Sequence, residues 1–512
     1  MNEILGNITC HCEIDAPLPS CYEMPQLMLI LAIDLGTTGN RAIIFDRETR
    51  VVAQSYREFR QLFPQPGWVE HDPNEIWETT RAVVADAVAQ VDAKQIVAVG
   101  IANQRETIVC WDPKTSQPLH NAIVWQDRRT AACCDELRGE GFAKEIRDRT
   151  GLVCDPYFSA TKIEWLLQNV PATRGGVFGT VDSWIVWKLT GGRVYATDAS
   201  NASRTMLFNL RERRWDDKLL KRFGVPLEVL PEVRPSSGEF GTLDPGLFGF
   251  SAPISSVIGD QQGAMFGQGC YEPGIVKNTY GTGLFLMMNT GPTPRGSDHL
   301  LSTIAWQIGD RTDYALEGSV FVGGAAVQWL RDQLQIIATS SESESLAQSL
   351  SANDGVYFVP ALTGLGAPYW DAAARGTIVG LTRATTKAHL ARAALEAIAY
   401  QTRDLVDTMC AEMGSPLRKL QVDGGACANN FLMQFQADIL GVPVERPAVI
   451  ETTALGAAGL AGLQAGMWSS PSDFVVHRRI ERVFEPSMTG AVRNGLYTKW
   501  KDAVARARGW AT

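Results

Sequence analysis

Apolar residues bunch into short unbroken runs near the start of the chain. Leu27–Ile33 is one such run; it ends at Asp34 and reads as a buried strand. A polar turn, Gly36-Thr37-Thr38-Gly39-Asn40, separates it from a second run, Ala42–Phe45, and Val51–Ala53 begins a third. Strand, tight polar turn, strand is a hairpin signal. The pattern then changes period. Asp72-Pro73-Asn74-Glu75 places an acid, a proline and a second acid where a helix start wants them. Ile76, Val83, Val84, Ala87, Val88 and Val91 follow at helical spacing. Ile96–Ile101 predicts another buried strand, with Thr107–Trp111 after it.

The hairpin theme returns about 245 residues later. Ile275–Asn278, the turn Tyr280-Gly281-Thr282-Gly283 and Leu284–Met288 repeat strand, Gly/Thr turn, strand. Helices are predicted over Ala325–Leu334 and Lys387–Met413, and Leu420–Val422 reads as a strand running into Asp423-Gly424-Gly425. Two similar α/β domains with a cleft between them follow from this repetition, with the boundary near residues 265–275. The length of 512 residues also calls for more than one core.

Composition narrows the class. The net charge of -9 argues against a general affinity for nucleic acid or an anionic membrane. It leaves room for a phosphate ligand, because a nest of backbone N–H groups binds anions inside an acidic protein. The ten cysteines show no metal-ligand spacing and read as reduced thiols of a cytoplasmic enzyme. No apolar run has the ~20 residues that span a bilayer. Residues 1–27 contain no Lys or Arg and read as a disordered or misassigned extension, with no function expected of Cys10, His11 or Cys12.

Several loops carry chemistry. In Asp34-Leu35-Gly36-Thr37-Thr38-Gly39, glycines admit an anion, Thr37 and Thr38 add hydroxyls, and Arg41 adds charge. Asp34 could hold Mg²⁺ directly or through water. Gly425, at a strand-to-helix junction with a helix starting near Asn429, leaves room for a ligand. None of these loops has the Gly-Lys-Ser/Thr phosphate signature or the dinucleotide fingerprint. Arg105-Glu106 follows a strand and can offer five donors and two acceptors to a polyhydroxylated ligand; a surface ion pair is the plainer alternative. Asp260 follows Val257-Ile258 and could be a catalytic base or simply a helix N-cap. Trp125, Tyr157 and Phe285 could wall the carbon face of a small alcohol.

The strings PGWVEHDPNEIW (66–77), NQRET (103–107), NAIVWQDRRT (121–130), TGLVCDPYFSATK (150–162), TDASNASRTMLFN (197–209), GDQQGAMFGQ (259–268), KNTYGTG (277–283), YALEGSVF (314–321) and QVDGGACANNFLMQFQADILG (421–441) together resemble the FGGY family of carbohydrate kinases. The resemblance covers residues 28–500. It implies two duplicated RNase H-like domains of the actin/hexokinase/Hsp70 type, residues 28–268 and 269–512, with an interdomain catalytic cleft. It implies ATP and Mg²⁺ as cofactors and phosphoryl transfer to a sugar or polyol, with NQRET and NAIVWQDRRT pointing to glycerol rather than a pentulose. By motif matching, Arg105, Glu106, Tyr157, Asp260 and Gln261 would bind the acceptor, Trp125 and Phe285 would pack on its carbons, and Asp260 would be the base. Thr37, Thr38, Gly39, Arg41, Gly281, Thr282, Gly324, Gln328, Gly425 and Asn429 would contact ATP, and Asp34 and Asp260 would lie at the metal. A homodimer or homotetramer is the expected assembly.

Departures are informative too. Family members commonly read DQGTTSSR where this chain has DLGTTGNR, so altered nucleotide affinity is expected. Gly246–Pro253 lacks the basic residue of the fructose 1,6-bisphosphate loop in some members, and Ser236–Gly241 lacks the histidine that others phosphorylate.

Overall fold

The computed structural model describes residues 28–511; the extension 1–27, with Cys10, His11 and Cys12, lies outside the described residues. The first runs form an antiparallel meander of β1 (Leu29–Leu35), β2 (Gly39–Phe45) and β3 (Val51–Glu58). β1 runs further than its apolar residues do, so Asp34 and Leu35 stay in the ladder, opposite Arg41 and Asn40. α1 (Pro73–Val88) starts as its sequence demands: the Asp72 side chain accepts from the Asn74 N–H, and Pro73 fills the first helical position. Its buried stripe of Ile76, Val83, Val84 and Ala87 packs on the sheet. β4 (Ile96–Asn103) joins the other side of β1 in parallel, and β5 (Ile254–Gly259) joins β4 in parallel. The order is β5-β4-β1-β2-β3. α2 (Asp260–Gly267) leaves the end of β5.

The second half uses β6 (Val276–Tyr280), β7 (Leu284–Gly291), β8 (Leu301–Ile308), β9 (Arg311–Val320), α3 (Ala325–Asp332), α4 (Glu342–Gln348), α5 (Lys387–Met413), β10 (Leu420–Asp423), α6 (Asn430–Leu440), β11 (Val444–Pro447), α7 (Thr452–Gln464) and β12 (Ile480–Phe484). Its sheet runs β8-β9-β7-β6-β10-β11-β12. The five inner strands, β9-β7-β6-β10-β11, repeat the order and sense of β3-β2-β1-β4-β5. In each, the first strand has antiparallel neighbours on one side and parallel neighbours on the other. This is a duplicated, RNase H-like α/β architecture.

The two sheets are joined by an exchange of helices. α7 comes from the second half yet lies on the first sheet, where the Ser256 hydroxyl donates to the Ala457 carbonyl at 2.7 Å. α2 comes from the first half and packs Met265 and Phe266 into one core with Met287, Ala305 and Ala315 of the second sheet. Where α2 and α7 cross, a Cβ on Gly456 would stand 1.8 Å from the Gly263 carbonyl oxygen, and one on Gly267 would stand 2.3 Å from the Thr452 carbonyl oxygen. Only glycine permits this approach.

Between β4 and β5 the chain inserts some 150 residues that build a separate cluster around Phe158, Leu166, Phe178 and Met206. The β8–β9 hairpin of the second half reaches into it. Leu301 joins that cluster, the Ser302 N–H donates to the Gly151 carbonyl at 2.9 Å, and the Thr303 and Ser203 hydroxyls lie 2.8 Å apart.

Candidate active site

The residues expected to hold the acceptor begin at the end of β4. Arg105 there adopts φ +46°, in the left-handed region that side chains other than glycine rarely enter, which marks a strained turn. Arg105 and Glu106 are not a surface pair: they are 2 % and 1 % exposed. A charge so buried must be matched, and each nitrogen of the Arg105 guanidinium has a neighbour. Nε lies 3.2 Å from Asp260 Oδ1. Nη1 donates to Glu317 Oε2 at 2.6 Å, and Nη2 donates to Glu317 Oε1 at 3.2 Å and to the Tyr157 hydroxyl at 2.9 Å. Arg204 completes the network, donating to Glu106 at 2.7 Å and to Glu317 at 3.1 Å. Burial works against the Glu317 anion, but Arg105 and Arg204 outweigh it and hold its carboxyl at about 2.

Sequence reasoning did not single out Glu317 or Arg204. The available signal was a fully charged residue inside an apolar strand, Tyr-Ala-Leu-Glu-Gly-Ser-Val, because such a residue is buried only when paired. Lys277 was missed in the same way. It is fully buried, and its ammonium donates to Gln261 Oε1 and, at 2.8 Å, to Thr279 Oγ1.

Asp260 is the first residue of α2, with Gly259 as the N-cap, so the positive end of the helix dipole faces its carboxylate. The side chain keeps 29 % of its surface exposed. Burial pushes its carboxyl above the ordinary range while Arg105 pulls it down. Tyr157 and Phe285 set their rings edge-on to Trp125, with centroids at 5.5 and 6.3 Å. These three aromatics come from the insertion and from β7, and they stand around the same site.

The second-half residues expected to contact nucleotide come together. Gly281, Thr282, Gly324, Gln328, Gly425 and Asn429 all line one cavity of about 460 Å³. The backbone closes it: the Gly324 N–H donates to the Gly281 carbonyl at 2.9 Å, and a Cβ on Gly324 would stand 2.7 Å from that oxygen. Asn429 caps α6 by accepting from the Leu432 N–H at 2.9 Å. Ser343 and Glu344 of α4 also line the cavity and were not anticipated.

The first phosphate turn is held by its own Gly36 N–H to Gly39 carbonyl bond of 3.1 Å. Arg41 does not stand free. It pairs with Glu451 at the start of α7, across from the second half, and lies over the Tyr56 ring. Thr452 donates to Asp423 Oδ2 at 2.6 Å and Thr453 to the Asp260 carbonyl at 3.2 Å, so residues 451–453 touch three parts of the site. Leu35 is fully buried in the core, and Asn40 donates to the Ile76 carbonyl and to Thr80 of α1. Two of the three departures from the family string, Leu35 and Asn40, therefore face packing, away from the turn's Thr37 and Thr38; the third, Gly39, lies in the turn itself, where a Cβ would stand 2.5 Å from the Arg57 carbonyl oxygen.

Asp34 suits a cation. Burial pushes its carboxyl up to about 7; Arg41 pulls the other way, while Asp260 and Glu451 push further. A divalent cation would relieve that crowding. Among the described residues no group of three His, Cys, Asp or Glu side chains could cage a metal. One or two carboxylates, with phosphate and water completing the shell, is the donor set of Mg²⁺ rather than Ca²⁺.

Comparison with known proteins agrees with this geometry. The N-terminal domain model of the FGGY family of carbohydrate kinases matches residues 29–267, and its C-terminal domain model matches residues 276–465. The chain is 56 % identical over 491 residues to a glycerol kinase of Symbiobacterium thermophilum, covering 94 % of this chain and 99 % of that protein. It is equally identical to a glycerol kinase of Carboxydothermus hydrogenoformans, covering 94 % and 98 %. The crystal structure of Plasmodium falciparum glycerol kinase with ADP superposes with a TM-score of 0.89 at 37 % identity, covering 94 % of this chain and 98 % of that one. The chain belongs to the FGGY family of carbohydrate kinases.

Proposed function

We propose that the protein is an ATP:glycerol 3-phosphotransferase, moving the γ-phosphoryl group of Mg-ATP to a terminal hydroxyl of glycerol and releasing sn-glycerol 3-phosphate and ADP. The observation that carries this reading is the setting of Asp260. A partly exposed carboxylate stands beside a buried Arg105–Glu106 pair and the Trp125, Tyr157 and Phe285 rings. That is a polar site with an apolar wall and a carboxylate base, the chemistry of a short polyol. The curated relatives named glycerol kinase support glycerol as the acceptor.

In this mechanism Arg105, Glu106, Tyr157 and Gln261 hold the hydroxyls, and Trp125 and Phe285 hold the carbons. Asp260 accepts the proton of the attacking hydroxyl as its oxygen bonds to the γ-phosphorus and the bond to the β,γ-bridging oxygen breaks. A carboxyl raised by burial is a stronger base than one in water. Thr37, Thr38, Gly39 and Arg41 would receive phosphate oxygens from one side, with Arg41 exchanging Glu451 for phosphate. Gly281, Thr282, Gly324, Gln328, Gly425 and Asn429 would hold the rest of the nucleotide. Mg²⁺, held near Asp34 and Asp260, would supply charge neutralisation at the β- and γ-phosphates. Residues 28–268 would thus carry the acceptor and first phosphate turn, and residues 269–512 most of the nucleotide site. Cytoplasmic location fits the seven described cysteines, which all carry free thiols. Among the described residues no helix is long and apolar enough to cross a membrane.

An ADP-release assay across glycerol, dihydroxyacetone, xylulose and ribulose tests the reading. The highest kcat/KM is expected for glycerol. A higher value for a ketopentose would replace this reading by another sugar or polyol kinase of the same family.

A further inference from the structure

The acceptor wall and the first phosphate turn are joined by a closed circuit of hydrogen bonds. Gln104 Nε2 donates to the Gly36 carbonyl at 3.0 Å. Gln104 Oε1 accepts from the Thr107 hydroxyl at 2.8 Å, and Thr107 Oγ1 accepts from the Trp125 backbone N–H at 3.2 Å. The Trp125 indole N–H then donates to Thr37 Oγ1 at 3.0 Å, one residue on from where the circuit began. Gln104 and Thr107 are fixed in place, both being buried. Arg105 and Glu106, the acceptor residues, lie between them in the chain.

The donor inventory gives this circuit a direction. An indole N–H can only donate, so Thr37 is the acceptor of that bond. The single hydroxyl proton of Thr37 is then left to point away from the tryptophan, toward an anion in the turn. Accepting one hydrogen bond also strengthens the hydroxyl as a donor. The same Trp125 presents its ring to the acceptor site, beside Tyr157 and Phe285. An acceptor packed on that ring restricts its motion and so holds the N–H on Thr37. The cost of ordering Trp125 is then met once for two ligands, which makes their binding cooperative.

We propose that Trp125 couples the two sites, its indole N–H orienting the Thr37 hydroxyl so that acceptor and nucleotide each tighten the binding of the other. The inference rests on the proposed glycerol and ATP sites and adds a positioning role to the wall residue.

Titration calorimetry of Mg-ADP binding to the full chain, with and without saturating glycerol, tests it. The wild type is expected to bind nucleotide about 5-fold or more tightly with glycerol present, within the ordinary range of coupling between sites. Trp125→Phe keeps an aromatic wall and lacks the N–H; its coupling is expected to fall below about 2-fold. Thr37→Val removes the same bond from the other end and keeps the wall intact, so it should lose coupling to the same extent. The double variant should lose no more than either single one. Equal coupling in wild type and in either folded variant would overturn the inference, as would a wild type that binds both ligands without coupling. A wild type that binds no glycerol at all would instead sink the acceptor assignment, so the two failures are distinguishable.

Discussion

At the scale of single residues, the site is a set of charges that hold one another. Asp260→Asn is expected to bind nucleotide and to lower kcat by about 10²–10⁴-fold, the usual worth of a positioned base. Steady-state kinetics beside nucleotide titration checks this, and near-normal turnover would remove Asp260 from its role. Arg105→Ala should raise KM for glycerol. Because Glu317 loses one of its two arginine partners and keeps Arg204, it should also cost stability, by less than the ~3–5 kcal/mol of a fully stranded buried charge. Denaturant unfolding separates the two effects. Glu317 carries a pH signature as well. Its carboxyl is held at about 2, below the 4.5 of a free glutamate, so its contribution is fully present above 4.5 and is lost as pH falls toward 2. That loss amounts to about 3 kcal/mol, and a pH series of unfolding curves should show it. The sequence displayed Arg105, Glu106 and Asp260 because each follows an apolar strand. Glu317 and Arg204 stayed hidden because their partners are 212 and 98 residues away. Leu35 and Asn40 looked like changes to the phosphate turn, and only burial shows that they serve the core and α1.

Among elements, those with strong local signals were readable and those defined by distant partners were not. α5 spans Lys387–Met413, the limits its pattern suggests, and α1 starts on the Asp72 cap. Both β1–β2 and β6–β7 show as apolar runs around a Gly/Thr turn. The attachment of β8 and β9 to the insertion was not visible, because hydroxyl pairs such as Ser203–Thr303 leave no local pattern. Neither was the seat of α7 on the opposite sheet: α7 is apolar nearly all round, which says that it is buried and not where. The α2–α7 crossing gives a direct test. In Gly456→Ala the added methyl would overlap the Gly263 carbonyl, so the helices must separate. A loss of about 1–3 kcal/mol, the typical cost of overpacking, is expected in chemical denaturation. Gly139→Ala, where the added carbon meets nothing within 4 Å, should change stability little.

For the whole molecule, repetition was the strongest message of the sequence. Two Gly/Thr turns predicted two related domains, and the strand orders of the two sheets match. What repetition could not convey is that each half keeps part of the other's core. Ile30, Ala32, Ile43 and Ala98 of the first sheet are buried with Ala454, Leu455, Ala458 and Ala461 of α7. A chain cut near residue 270 would therefore not yield two autonomous pieces. The fragment ending there would expose a bare aliphatic sheet face, and its counterpart would carry a greasy helix with nowhere to dock. Each expressed alone should aggregate; expressed together, they should reassemble and recover catalysis. For the gene's history the implication is equally concrete. With helices shared between the two halves, neither half can be lost, shuffled or fused elsewhere by itself, and a side chain added at Gly456 is felt at Gly263 in the other half.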